Sequence, residues 1–183
     1  MSPATGPNPR RPGPPAGSPE VHAFDEQGDL PVELERLRDL AAFVLEEEGV
    51  RGQSELTLLF VEEAAIADLN ERFMETAGPT DVLAFPIDDE IAEPGRAPDG
   101  SSSGPDRPGM ELNEIPMLLG DVVICPKVAA RNASEHGKSV EDELALLVVH
   151  GALHVLGMDH AAPEEEAAMT ARTEALLTQF AQR

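Results

Sequence analysis

Three of the five histidines in this 183-residue chain fall within one run, HGALHVLGMDH, residues 150–160. His150 and His154 are four positions apart, a spacing that a helix offsets by only about 40° and about 6 Å. Both imidazoles then point the same way and can share one ion at about 2.0–2.1 Å from each nitrogen. Gly157 can adopt a left-handed backbone, end the helix and reverse the chain. That reversal would return His160 as a third ligand. Three neutral nitrogens leave a tetrahedral zinc one ligand short, and an open fourth position marks a catalytic zinc rather than a structural one. Asp159 has two readings. Its carboxylate could orient a ligand or assist proton transfer, or it could be a polar residue at a helix end.

The spacing H-x3-H-x5-H, with Gly at the eighth position, is also that of the metzincin proteases, H-E-x-x-H-x-x-G-x-x-H. Those enzymes need Glu directly after the first His as general base, and this chain has Gly151 there. The ligand geometry of a zincin is therefore expected without its peptidase base. A single His in an apolar helix is usually a satisfied core residue. Three at this spacing, with a helix-ending Gly between the second and third, point to metal.

A set of elements must position these side chains. VHAFDE (21–26) reads as a short strand, and PVELERLRDLAAFVLEEEG (31–49) as an amphipathic helix burying Leu34, Leu37, Ala41, Val44 and Leu45. ELTLLFVE (55–62) reads as a strand, 63–74 as a helix, 81–87 and 118–125 as strands, and Pro126 opens a helix to about Gly137. Ser139 and Asp142 form a capping-box-like start for the apolar helix that carries the histidines and stops at Gly157. Pro163 opens the last helix. Strands mixed with helices in this order predict one α/β or α+β domain of about 160 residues. Residues 1–19 hold seven of the 17 prolines and read as a disordered tail preceding a domain over 20–183. The stretch 90–114 reads as an insertion or flexible flap.

Composition narrows the functions available. Lys and Arg number 13 against 35 Asp and Glu, a formal net charge of −22. Such a charge argues against a broad basic nucleic-acid surface, against DNA as partner and against a polybasic membrane patch. With 41% apolar residues there is material for a core, while 3% aromatics and no Trp or Tyr leave little for base stacking. One cysteine excludes an intrachain disulfide; Cys125 ends an apolar strand and is expected to be a buried core thiol. No apolar run is long enough for a membrane span, and the start of the chain lacks the apolar core of a secretory signal, so a cytoplasmic location is expected.

The run HGALHVLGMDH resembles the H-G-x-L-H-L-x-G-y-D-H signature of the YbeY endoribonucleases, bacterial ribosomal RNA maturation factors. GPTDVLAFPID (78–88) is similar to that family's P-T-D-V-L-S-F-P block, and LLGDVVICPKVAARNA (118–133) to its L-G-D-I-V-I-C-P block. The three occur in the family's order, and the resemblance covers roughly residues 20–180. It implies a zincin-like α+β single domain, a small mixed sheet packed with helices, with the metal-binding helix near the C-terminus. It implies one zinc held by His150, His154 and His160. It further implies single-strand-directed RNA cleavage in 3′-end maturation of small-subunit ribosomal RNA and in ribosome quality control, with ribosomal RNA and the ribosome or assembly factors as partners. Two positions depart from the pattern: Met74 stands where many members have Arg in L-N-x-x-[YF]-R, and Ala84 replaces the Ser of V-L-S-F-P.

If RNA is the substrate, the chain must hold it locally. Outside the tail and insertion, Lys127, Arg131 and Lys138 form the densest basic group and are candidates for backbone contact without base reading; their alternative is ordinary solvated helix charge. Arg72 precedes Met74 by two residues, about 200° round a helix, and so does not replace the missing Arg. Two other functions compete: a non-catalytic ribosome-assembly module with a structural zinc, and a zinc metalloprotease, which rests on ligand spacing alone.

Overall fold

The computed structural model describes residues 17–87, 116–158 and 162–183. Most of the N-terminal tail, the whole 90–114 stretch, Asp159 and His160 lie outside the described residues. The elements follow the order β1 (Glu20–Asp25), α1 (Leu34–Glu47), β2 (Ser54–Phe60), α2 (Glu63–Met74), β3 (Val82–Pro86), β4 (Met117–Ile124), α3 (Pro126–His136), α4 (Val140–Val155) and α5 (Pro163–Ala181). Element types agree with the periodicities of the sequence. The first helix starts later than expected, at Leu34 rather than Pro31.

The four strands form one mixed sheet in the order β1-β2-β4-β3. β1 and β2 run parallel, β2 and β4 run parallel, and β3 is antiparallel to β4. Alternation along β2 gives the sheet two faces. Leu56, Leu58 and Phe60 are fully buried, whereas Glu55, Thr57 and Leu59 are half-buried on the other side. The buried side carries the main core, in which Val21, Val122 and Ile124 of the other strands meet Leu40, Val44 and Leu45 of α1. Each fully buried side chain of this size contributes about 1.5–3 kcal/mol of hydrophobic stabilisation.

α4 is the centre of that core. Leu144, Leu147, Val148, Val149, Ala152 and Leu153 are all buried, so the helix is apolar nearly all round, as an interior helix should be. Its N-terminus is set by Ser139, whose Oγ accepts the Asp142 N–H at 3.0 Å, and Glu141, Asp142 and Glu143 lie in the positive first turn. α5 covers the outside through Met169, Thr173 and Leu176. The opposite sheet face carries a smaller cluster of Val61, Ile66, Leu83, Val123, Cys125 and Val128 beneath α2 and α3. Cys125 is buried and free, as its place at the end of an apolar strand predicts. Among the described residues no helix is long and apolar enough to cross a membrane.

Candidate metal centre and active-site cleft

His150 and His154 lie in the C-terminal half of α4, beside β3. Their Nε2 atoms are 3.2 Å apart, and the rings meet nearly edge-on with centroids 4.7 Å apart. An ion about 2.0–2.1 Å from each nitrogen would subtend an angle of about 100°, close to tetrahedral. The pair therefore fits a zinc ion without rearrangement. Gly157 has φ +89°, and the turn it makes is closed by Gly157 N–H to His154 O at 2.9 Å and Met158 N–H to Leu153 O at 3.0 Å. The helix thus ends where the sequence places its stop, on the chain leading to His160.

Gly151 is needed for packing. A Cβ at this position would overlap the side chain of Val122 on β4, so α4 approaches the sheet through its only backbone-thin position beside the histidines. The position that carries the general base in metzincins therefore faces the sheet, with no room for a carboxylate.

The histidines open onto a cleft of about 680 Å³ whose other walls include Met74, Asp81, Val82, Ala84 and Met158. Met74 is one of the residues lining this cleft, and none of the described lining residues is Lys or Arg. Arg72 turns away, paired with Asp68 at 3.2 Å and stacked 5.7 Å from the Phe73 ring centroid.

Asp81 is a site residue that motif reasoning did not single out, although it belongs to the matched P-T-D-V-L block. Its Oδ1 accepts from the Val82 N–H at 2.8 Å and the Thr80 hydroxyl at 3.3 Å, and its Oδ2 from Asn132 Nδ2 at 3.0 Å. Its carbonyl accepts the Cys125 N–H at 2.9 Å. Asp81 thereby joins the start of β3 to β4 and α3 and holds the cleft wall in place. Behind it, the buried Asn70 donates to Gly78 O at 2.9 Å and anchors the α2–β3 loop.

The three basic candidates do not form one strip. Arg131 makes a two-pronged ion pair with Glu63, at 2.7 and 3.2 Å, and Lys127 lies 3.9 Å from Glu63 and 3.7 Å from Asp29. The hydrogen bond with Arg131 holds the Glu63 carboxyl below the usual carboxylate range and raises the Arg131 guanidinium in turn. Lys138 lines a separate groove between α1, α4 and α5, with Arg36, Asp142 and Phe180.

A second group that could hold a metal ion was not foreseen. Glu20, His22 and Glu55 bring their ligand atoms within 4.8 Å of one another on the half-open sheet face. Nothing in the spacing signals it, because its members come from two strands that only the fold makes neighbours.

The fold and the cleft define a class: a small α+β domain whose central helix presents paired imidazoles to a cleft at the edge of a mixed sheet. The family model described as Endoribonuclease YbeY matches residues 22–181. The Endoribonuclease YbeY of Mycolicibacterium vanbaalenii is 41% identical over 160 residues, covering 87% of this chain and 79% of the relative. That of Beutenbergia cavernae is 48% identical over 141 residues, covering 77% and 84%. That of Mycobacterium tuberculosis is 41% identical over 160 residues, covering 87% and 82%. The solution structure of TM1509 from Thermotoga maritima shares the fold, with a TM-score of 0.52 at 23% identity over 88% of this chain and 92% of that one. The chain belongs to the YbeY endoribonuclease family.

Proposed function

We propose that this chain is a zinc-dependent, single-strand-directed endoribonuclease that works in the cytoplasm, in 3′-end maturation of small-subunit ribosomal RNA and in ribosome quality control. The observation that carries this reading is the His150–His154 pair, set 3.2 Å apart over an open cleft in a chain of this family. His150, His154 and His160 would hold the zinc, and Asp159 would orient a ligand or assist proton transfer. Zinc held there supplies Lewis acidity toward a phosphodiester and lowers the pKa of water.

The chain's own residues do the rest. α4, rooted in the core, keeps the two imidazoles in register, and Gly151 lets it lie close enough to the sheet for both rings to reach the cleft. Asp81 fixes the β3 wall through its three donors. Met74, Met158 and Val82 give an apolar lining that limits water at the phosphodiester. None of the described lining residues is a cation, so the cleft's own side chains offer little charge to an RNA backbone. Lys127, Arg131 and Lys138 act at a distance on the backbone, the first two after release from Glu63. Free RNA should consequently bind weakly, and the ribosome or an assembly factor would present the substrate.

His154→Ala is expected to lose both stoichiometric zinc, read by elemental analysis, and RNA cleavage. Full cleavage by metal-free protein would overturn the reading. The cation-poor cleft keeps a second reading open, a non-catalytic assembly module with a structural zinc. Rescue of the 3′ end of small-subunit RNA by a His150→Ala chain in a deletion strain would select it. The protease reading has lost its support, since Gly151 packs on Val122.

A further inference from the structure

The sheet face opposite α4 is incompletely covered. α2 lies beside β3, and Val128 of α3 joins the cluster at the end of the sheet; among the described residues no helix covers the rest of the face. Strand pairing places Glu20, Glu55 and Leu118 in one row, His22, Thr57, Asp121 and Phe85 in the next, and Phe24, Leu59 and Val123 in the third. Phe24 is 52% exposed, Leu118 53%, and Phe73, on the flank of α2, 58%. These are large values for apolar side chains gathered on one face. Between α2 and the sheet lies a groove of about 400 Å³, floored by Leu59, Leu69 and Val123, walled by Phe73 and Phe85, and edged by Asp121. The two Phe rings meet edge-on at 5.2 Å, which gives the groove a firm aromatic side.

The charge on this face is of one sign. Glu20 and Glu55 are directly opposite each other on adjacent strands, an arrangement of like charges that destabilises a sheet. No described residue forms a hydrogen bond or ion pair with either carboxylate, and no Lys or Arg occurs in the three rows. Arg72, on neighbouring α2, is already paired with Asp68. An apolar shelf whose acidic rim has His22 but no described Lys or Arg beside it selects its occupant. A second copy of this chain would bring the same carboxylates together, and RNA would bring phosphates to them. A neutral apolar segment would desolvate them without compensation. A segment with Arg or Lys beside aliphatic or aromatic anchors satisfies both halves of the surface.

We propose that this face docks a basic segment of a partner protein, with its apolar side chains in the Phe73–Phe85 groove and its cations on Glu20, Glu55 and Asp121. The docking face and the histidine cleft meet only at the end of α2, where Phe73 walls the groove and Met74 lines the cleft, so a segment held along the strands leaves the histidines open. This inference does not depend on the cleft's activity.

The test measures, by fluorescence anisotropy in physiological salt, binding of a short synthetic peptide alternating Arg with Leu and Phe to the full chain. A matched peptide with Ser in place of Leu and Phe is the control. The first peptide should bind at least about tenfold more tightly than the second. Glu55→Lys should weaken it about tenfold or more, and Phe73→Ser about fivefold, with thermal unfolding unchanged. Glu164→Lys, an equal charge change on exposed α5, should have little effect. The proposal is overturned if Glu164→Lys weakens binding as much as Glu55→Lys, or if both peptides bind alike. It is also overturned if EDTA abolishes binding, which would make the trio a metal site, or if single-stranded RNA or a second copy of the chain occupies the face instead.

Discussion

Two groups of side chains of metal-ligand type sit on opposite faces of one sheet, and they are built on different principles. His150 and His154 project from a single buried helix, one turn apart, so their 3.2 Å separation follows from helical geometry and is rigid because α4 is. Glu20, His22 and Glu55 come from two strands, with ligand atoms within 4.8 Å of one another on a half-open face. The first group fits a small tetrahedral ion and opens into a concave cleft. The second sits beside exposed apolar side chains and suits the cations of a partner.

That contrast can be broken most directly by exchanging losses between the two groups. His150→Ala is expected to remove bound zinc and lower RNA cleavage by about a hundredfold or more. The combined change Glu20→Gln, His22→Ala and Glu55→Gln should leave both unchanged. Zinc lost from the second variant and retained by the first would reverse the assignment. A smaller effect tests the rigid side of the contrast. Gly151→Ala forces a methyl into Val122 and should destabilise the fold by about 1–3 kcal/mol, measured by urea denaturation. An unchanged midpoint would mean that α4 can shift on the sheet.

Met74→Arg probes the missing cation. It should lower KM for single-stranded RNA about threefold to tenfold, as expected of one charged hydrogen bond at a half-exposed position. No change in KM would show that position 74 does not reach the RNA backbone. The smallest effect concerns Glu63 and Arg131. Because the Glu63 carboxyl titrates lower in the folded chain than in the unfolded one, the pair's stabilisation is present above the ordinary carboxylate range. It is lost as pH falls through the lowered value. Glu63→Gln should therefore lower the melting temperature slightly at neutral pH and leave it unchanged well below about pH 4, which flattens the acid side of the profile. If RNA draws on Arg131, the same variant should tighten RNA binding in low salt, since the guanidinium is then free.

Much of this was legible before any coordinates. Helix and strand periods, the Ser139 cap and the Gly157 stop are local signals, each carried by residues within a few positions, and the structure reproduces them. Other features were not legible because they depend on pairing across the chain. The expected basic strip assumed that nearby cations act together, but Glu63 on α2 holds Lys127 and Arg131 while Lys138 turns into another groove. Asp81 stood in a matched motif, yet its role as a tie between β3 and α3 appears only with Asn132 beside it. Gly151 read as a missing base. In the fold it is the contact that lets the helix lie on the sheet.

The sequence by itself determined the His150–His154 geometry, because a helix sets the relation between residues four apart whatever surrounds it. It determined the helix carrying them as well, through a run of apolar residues that can be stable only inside a core. The tertiary structure alone decided which charges meet. Strand order put Glu20 against Glu55, and helix packing gave Glu63 to Arg131. Such pairings depend on side chains brought together by the burial of other residues, and no local pattern records them.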